Sequence, residues 1–322
     1  MKRVLVTGAA GFMGRHLCSA LALRGCDVTA AGRTPPHDNA GWQRFVAVDL
    51  RDEARVQKLI ADTKPDVVFW LAGLLRGTEA ELVAHNTTPV EHACKALAAK
   101  AKDTRLVLAG SSAEYGPSRP DGGAFDETSV CAPGVAYGKS KWLATKAALA
   151  ANERHGIDVR IARPSNVLGP GSSRQLLAGS LVAQLAERLS RGEPFAIKAG
   201  DLTAQRDFVD VEDVCRGYLA LAEYRGPRRV FNFAADQCFP VRTIVDILQH
   251  EVAMPIEVER DPTLGHAAAP DRVAITAALA AAELGFRRHV SLRESIARMW
   301  RAAVDDLAAA SLTEATRTEL AS

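Results

Sequence analysis

The sequence predicts an α/β protein built on a doubly wound parallel sheet, with a smaller C-terminal α/β lobe. Three observations carry this reading. Short β-branched runs alternate with long Ala/Leu-rich helical periods through the first half. The rhythm changes after Pro164, where helices are separated by short extended pieces containing Gly and Pro. A glycine triplet falls between the first strand and the first helix, which makes the sheet a dinucleotide-binding, Rossmann-type one.

Residues 3–7, 27–31, 45–48, 67–71, 106–109 and 159–162 read as strands, because continuous apolar runs suit a parallel sheet covered on both faces. Helical periods lie between them near 12–24, 52–63, 79–100 and 137–154, giving right-handed βαβ units. Further helices are predicted near 174–190, 211–224, 241–251 and 291–304. The stretch from Pro117 to Pro133 is rich in Pro and Gly and reads as a loop over the sheet edge. Residues 1–165 are thus expected to form the dinucleotide-binding domain and 166–304 mainly a substrate lobe. Segments near 206–224 are expected to return to the first domain, and 305–322 to form a polar tail.

Composition narrows the function classes. The 322 residues are 48% apolar and 24% charged, as in an ordinary globular protein. A net charge of +2 argues against a nucleic-acid or anionic-membrane binder, which would carry a basic excess. No apolar run approaches the ~18 residues of a membrane span. The opening Met1-Lys2-Arg3 imitates a secretory leader, but Thr7, Gly8, Gly11 and Arg15 interrupt the apolar run that follows. Cys18, Cys26, Cys94, Cys131, Cys215 and Cys238 show no C-x-x-C spacing, and the eight histidines show no ligand spacing. The expectation is a cytoplasmic enzyme with reduced thiols and no metal.

The segment Thr7-Gly8-Ala9-Ala10-Gly11-Phe12-Met13-Gly14 joins the first strand to the first helix. Glycine there allows a sharp turn and a close approach of backbone to a pyrophosphate, which the helix N-terminus at Phe12, Met13 and Gly14 then attracts. After the second strand comes Gly32-Arg33-Thr34, with no carboxylate to bond ribose hydroxyls. Arg33 is suited to a 2′-phosphate, so NADP(H) is favoured over NAD(H); the plainer alternative is a solvent-facing arginine. Asp49 and Leu50, after the third strand, are placed to bond the adenine, although Asp49 is equally well placed to cap the helix starting near Asp52.

Tyr137 and Lys141, four residues apart, share one helix face. A phenol of pKa ~10 needs an adjacent cation to serve as acid or base near neutrality. Ser112, in Gly110-Ser111-Ser112-Ala113-Glu114-Tyr115-Gly116, follows the fifth strand at its C-terminal end, where ligands of open sheets bind, and could bond the reacting oxygen.

Taken together, these motifs resemble the extended short-chain dehydrogenase/reductases, the NAD-dependent epimerase/dehydratase family acting on nucleotide sugars. The likeness spans about residues 1–290. It includes Leu71-Ala72-Gly73, Arg163-Pro164-Ser165-Asn166 and Arg206-Asp207-Phe208-Val209-Asp210. The resemblance implies Tyr137 as acid/base, Lys141 as its electrostatic partner and Ser112 as donor to the carbonyl oxygen. Ser112 is preferred to Ser111 because its separation from Tyr137 matches the family's usual one; Ser111 is assigned to the substrate. Leu71, Ala72, Gly73 and Pro164 would line the cofactor, and Asn166 and Arg206 the nucleotide diphosphate. The pattern is most like the 4-keto reductases of the GDP-mannose branch. That branch has an arginine where this chain has Ala269, and Arg272 is the candidate substitute. The family further implies a homodimer through helices 79–100 and 137–154.

NADPH-dependent reduction of a 4-keto group on a GDP-like 6-deoxy sugar is therefore the expected chemistry. The rivals are a 4,6-dehydratase, for which Glu114 would supply the carboxylate, a C4 epimerase with tightly bound NAD(P), and a non-catalytic NADP-binding protein.

Overall fold

The computed structural model describes residues 2–35, 39–119, 121–264 and 272–321, with side chains up to residue 309. Its strands are β1 (Arg3–Thr7), β2 (Asp27–Gly32), β3 (Arg44–Ala47), β4 (Val67–Trp70), β5 (Arg105–Ala109), β6 (Asp158–Pro164), β7 (Asn166–Leu168), β8 (Ala196–Ala199), β9 (Gln205–Asp210), β10 (Val230–Phe233), β11 (Cys238–Pro240), β12 (Glu257–Arg260) and β13 (Arg272–Val273). The helices are α1 (Phe12–Leu23), α2 (Glu53–Thr63), α3 (Glu79–Asn86), α4 (Thr88–Lys100), α5 (Ala136–His155), α6 (Leu177–Arg191), α7 (Val211–Glu223), α8 (Arg242–Val252), α9 (Ala278–Leu284) and α10 (Leu292–Ala321).

Seven strands form one parallel sheet in the order β10-β6-β5-β4-β1-β2-β3. Side chains alternate across it, as the two-residue strand period requires. Val4, Val6, Val67 and Phe69 face a core closed by Leu17 and Cys18 of α1 and Val214 and Tyr218 of α7. Leu5, Val68 and Trp70 face the opposite core, closed by Ile60 of α2, Leu97 of α4 and Ala144 and Ala148 of α5. The sheet is therefore doubly wound, and its order reverses beside β1, where such sheets bind ligands.

From the second half of the chain, α7 packs on this sheet and β10 extends it. By contrast, β9 lies at the centre of a small sheet with β7, β11 and β13. A third core gathers α6, α8, α10 and β8 around Leu185, Ile197, Leu248 and Ile296.

Two elements differ from the sequence expectation. The helix expected over 79–100 is two, because Pro89 at the start of α4 has no N–H to continue the ladder to His85, and Thr87 serves both as the last cap of α3 and the first of α4. The stretch 305–322, expected as a tail, continues the α10 backbone through Ala321. Among the described residues no helix is long and apolar enough to cross a membrane.

Candidate active site

The end of β1 and the start of α1 are held together by glycine. Gly8 has φ +67°, and a Cβ there would lie 2.7 Å from the Ala72 nitrogen. A Cβ on Gly14 would lie 2.2 Å from the Gly8 carbonyl oxygen, so only glycine lets the helix abut the turn. Gly11 caps α1 without any side-chain bond, and no acidic residue occupies its first turn. The leading N–H groups, those of Phe12, Met13 and Gly14, thus form an uncapped, electropositive cradle of the kind that accepts a pyrophosphate. The Ala72 N–H donates to the Thr7 hydroxyl at 3.4 Å, which sets Leu71, Ala72 and Gly73 beside this cradle.

Asn86, absent from the sequence expectations, links that strand end to the catalytic helix. It accepts from the Leu74 N–H at 2.6 Å and donates to the Leu74 carbonyl at 3.0 Å and to the Ser140 hydroxyl at 2.8 Å. It is 1% exposed, and these bonds satisfy its buried amide.

At the adenine end, Asp49 does not cap α2; Asp52 does, accepting from the Arg55 N–H at 3.1 Å. Asp49 instead takes the Arg51 guanidinium at 2.6–3.1 Å. These hydrogen bonds, with the charges of Arg51 and Arg33, hold its carboxyl well below the usual range. Leu50 is buried beside it. Arg33 is exposed, and its field on Asp49 places it at the same corner as Arg51. Arg51 was missed, although its spacing from Asp49 was visible in the sequence.

Tyr137 and Lys141 lie in the first two turns of α5. Gly138 lets that helix touch the Ser111 loop, since a Cβ there would meet the Ala113 carbonyl oxygen at 2.3 Å. In that loop Ser111 caps a single-turn 3-10 helix (Ser112–Glu114), its hydroxyl accepting from the Ala113 N–H at 3.2 Å. Burial pushes the Tyr137 phenol up to about 12, while a hydrogen bond from Ser111 works the other way. Ser111 is the serine whose hydrogen bond bears on the Tyr137 phenol, and the expected Ser112 opens the helical turn beside it. Lys141 is 6% exposed, and burial lowers its ammonium to about 8 against the opposing field of Glu114.

Glu114 also departs from expectation. It has no exposed surface; one carboxylate oxygen accepts from Arg163 at 2.8 Å and the other from the Ser111 N–H at 2.9 Å. Both oxygens are committed, so it is not a carboxylate free to take a proton from a substrate. Arg163 also donates to the Tyr115 hydroxyl at 3.1 Å, which donates to Asn232 at 2.8 Å.

The tetrapeptide Arg163-Pro164-Ser165-Asn166 runs from the large sheet into the small one. Ser165 donates to Asp207 at 2.6 Å, and Asp207 also accepts from the Ala235 and Gln237 N–H groups. Asn166 donates to the Asp207 carbonyl at 2.8 Å and is otherwise exposed. Arg206 is half-buried on β9, in register with Val273 of β13. Arg272 donates to the Gly122 carbonyl at 2.7 Å, tying β13 to the loop that follows Pro117. The small sheet thus gathers Asn166, Arg206 and Arg272 on three neighbouring strands. The stretch around Ala269, where the family arginine is missing, lies outside the described residues.

A doubly wound sheet with an uncapped glycine cradle and a Ser-Tyr-Lys set at its C-terminal edge defines a nicotinamide-dependent oxidoreductase of the α/β class. The chain belongs to the NAD dependent epimerase/dehydratase family, whose sequence profile matches residues 4–234. It is 32% identical over 310 residues to "dTDP-6-deoxy-L-talose 4-dehydrogenase (NAD(P)(+))" of Kitasatospora kifunensis, covering 93% of this chain and 95% of that one. It is 26% identical over 302 residues to the GDP-6-deoxy-D-mannose reductase of Pseudomonas aeruginosa, covering 92% and 95%. A crystal structure of a putative epimerase from Burkholderia cenocepacia J2315 superposes with a TM-score of 0.84 at 29% identity, over 94% of this chain and 98% of that one.

Two outcomes follow from this geometry. Gly14→Ala is expected to destabilise the fold by about 1–3 kcal/mol and to abolish nicotinamide-dinucleotide binding, read by denaturant titration and fluorescence; a variant that matches the parent in both would contradict the cradle. Because Lys141 is cationic only below its lowered pKa, turnover should fall as pH rises through about 8. A flat profile between neutrality and the titration range of an ordinary lysine would remove Lys141 from its electrostatic role.

Proposed function

We propose that the chain reduces the 4-keto group of a nucleotide-activated 6-deoxy sugar at the expense of NADPH. The observation that carries this reading is Glu114, sealed in its ion pair with Arg163. Elimination of water next to the new ketone needs a free carboxylate, and reduction does not. Both named sugar-nucleotide relatives described above act at a 6-deoxy sugar, and one of them by name at C4.

The cradle at Gly8, Gly11 and Gly14 would hold the pyrophosphate, Asp49 and Leu50 the adenine, and Lys141 the nicotinamide ribose. When bound, the cofactor supplies the hydride. Tyr137, kept protonated by burial, donates its proton to the ketone oxygen. Ser111 holds the same oxygen as negative charge develops on it. Lys141 then stabilises the phenolate left on Tyr137, and solvent returns the proton. On the substrate side, Asn166, Arg206 and Arg272 would face the nucleotide diphosphate. Arg33, with Arg51 at the same corner, supports preference for the 2′-phosphate of NADPH. The free cysteines among the described residues fit a reducing cytoplasm. A homodimer through α4 and α5 fits Leu143 and Val135, exposed on and just before α5.

The test is incubation with NADPH and 4-keto-6-deoxy sugars carrying dTDP or GDP, following absorbance and product mass. Loss of one NADPH per sugar with a gain of two hydrogens supports reduction. Water loss from a parent sugar nucleotide, or epimerisation without net NADPH use, would replace it. Tyr137→Phe should lower kcat by roughly 10²–10⁴ while leaving cofactor affinity intact. Arg33→Ala should weaken NADPH binding by about tenfold and leave NADH unaffected; equal losses for both would sink the 2′-phosphate assignment.

A further inference from the structure

The N-terminal ends of β5, β6 and β10 lie at the edge of the large sheet opposite the glycine cradle, beside the last turn of α5. There a cavity of about 470 Å³ is lined by Arg105, Arg160, Arg225 and Arg229, with Asn152 and a single carboxylate, Asp158. Four guanidinium groups share one acid. Asp158 meets Arg105 at 2.6 Å and Arg160 at 2.5 Å, while Arg229 stands 3.8 Å away. The neighbouring Glu223 and Glu283 face Arg24 and Arg228, each at 3.7 Å.

Helix C-termini attract cations, and this accounts for part of the cluster. Arg105 donates to the Leu221 and Ala222 carbonyls at the end of α7, at 3.1 and 3.0 Å. It does not account for the rest. Arg160 is 3% exposed; its terminal nitrogens donate to the Val159 and Gly226 carbonyls at 2.9 and 3.3 Å, but its Nε has no hydrogen-bond partner among the described residues. Buried guanidinium donors are rarely left unpaired. Burial, with the fields of Arg229 and Arg105 adding to it against Asp158, lowers the Arg160 pKa to about 10. Besides its long contact to Asp158, the Arg229 side chain donates to the Asn152 side chain at 3.4 Å. Arg225 is exposed and makes no hydrogen bond or ion pair among the described residues.

We propose that this cavity binds a phosphate-bearing anion, a diphosphate or phosphomonoester group, with Arg225 and Arg229 at its mouth and Arg160 at its base. A dianion there would offset the surplus positive charge and give planar guanidinium forks the oxygens they match. The site shares no residue with the catalytic set and does not depend on which sugar nucleotide the chain uses.

The test is calorimetric titration of the full chain with pyrophosphate in saturating NADPH, which covers the glycine cradle. Pyrophosphate is expected to bind, and R225A/R229A to weaken it by about tenfold or more with unfolding midpoint and NADPH affinity unchanged. Should the double variant unfold, R225A alone serves, since that exposed side chain has no hydrogen bond or ion pair among the described residues to lose. Inorganic phosphate and GDP distinguish the source, each read as the affinity lost in R225A/R229A because the substrate site also takes a nucleotide diphosphate: a larger loss for GDP than for pyrophosphate identifies a nucleotide, and equal losses for phosphate and pyrophosphate a free anion. Absence of pyrophosphate binding, or affinity unchanged in both variants, would overturn the proposal.

Discussion

A carboxylate and a guanidinium with almost no access to water, those of Glu114 and Arg163, meet at 2.8 Å behind the catalytic residues. Removing two charges from water is expensive, and such a pair persists only when its remaining oxygens and N–H groups are also bonded. Here the other Glu114 oxygen takes the Ser111 N–H, Arg163 also donates to the Tyr115 hydroxyl, and its guanidinium lies 4.8 Å from the Tyr115 ring. Burial alone would lower the Arg163 pKa, but Glu114 and Tyr115 outweigh it and hold the group charged. The pair therefore clamps the end of β5 to the end of β6. The 3-10 turn that presents Ser111 to Tyr137 is fixed by one of its two members.

The same clamp orders the substrate side. Arg163 begins the tetrapeptide that leaves the large sheet, and Ser165 carries it onto Asp207, which is 1% exposed and receives three hydrogen bonds. A displaced Arg163 would shift both the Ser111 turn and the strand bearing Asn166. The Ser111 turn and the small sheet are thus joined through two adjacent buried networks, the kind of fixed spacing that proton transfer to one carbonyl demands.

Much of this was legible in the sequence, for physical reasons. Strands buried on both faces are continuous apolar runs, so β1, β2, β4, β5 and β6 stand out. Glycines forced by a close backbone approach cannot be replaced silently, so the cradle is visible, and a four-residue spacing alone puts Tyr137 and Lys141 on one face. What was not legible depends on contacts between distant residues. Nothing local says that Glu114 is bonded to a residue on the next strand. Which of Ser111 and Ser112 faces Tyr137 depends on the rotation of a single helical turn, and a separation counted in residues does not resolve it. Pro89 was a visible signal for the break between α3 and α4, which the single helix expected over 79–100 passed over. The Asn86 links required the fold.

The central claim is that the buried pair, as a pair, holds the catalytic loop, and a double-mutant cycle with E114L and R163M tests it most directly. Each single variant should lose about 3–5 kcal/mol of stability because it strands one buried charge, and the double variant should recover a large part of the sum. Losses that simply add would contradict the claim, because two residues without mutual dependence cannot act as a clamp.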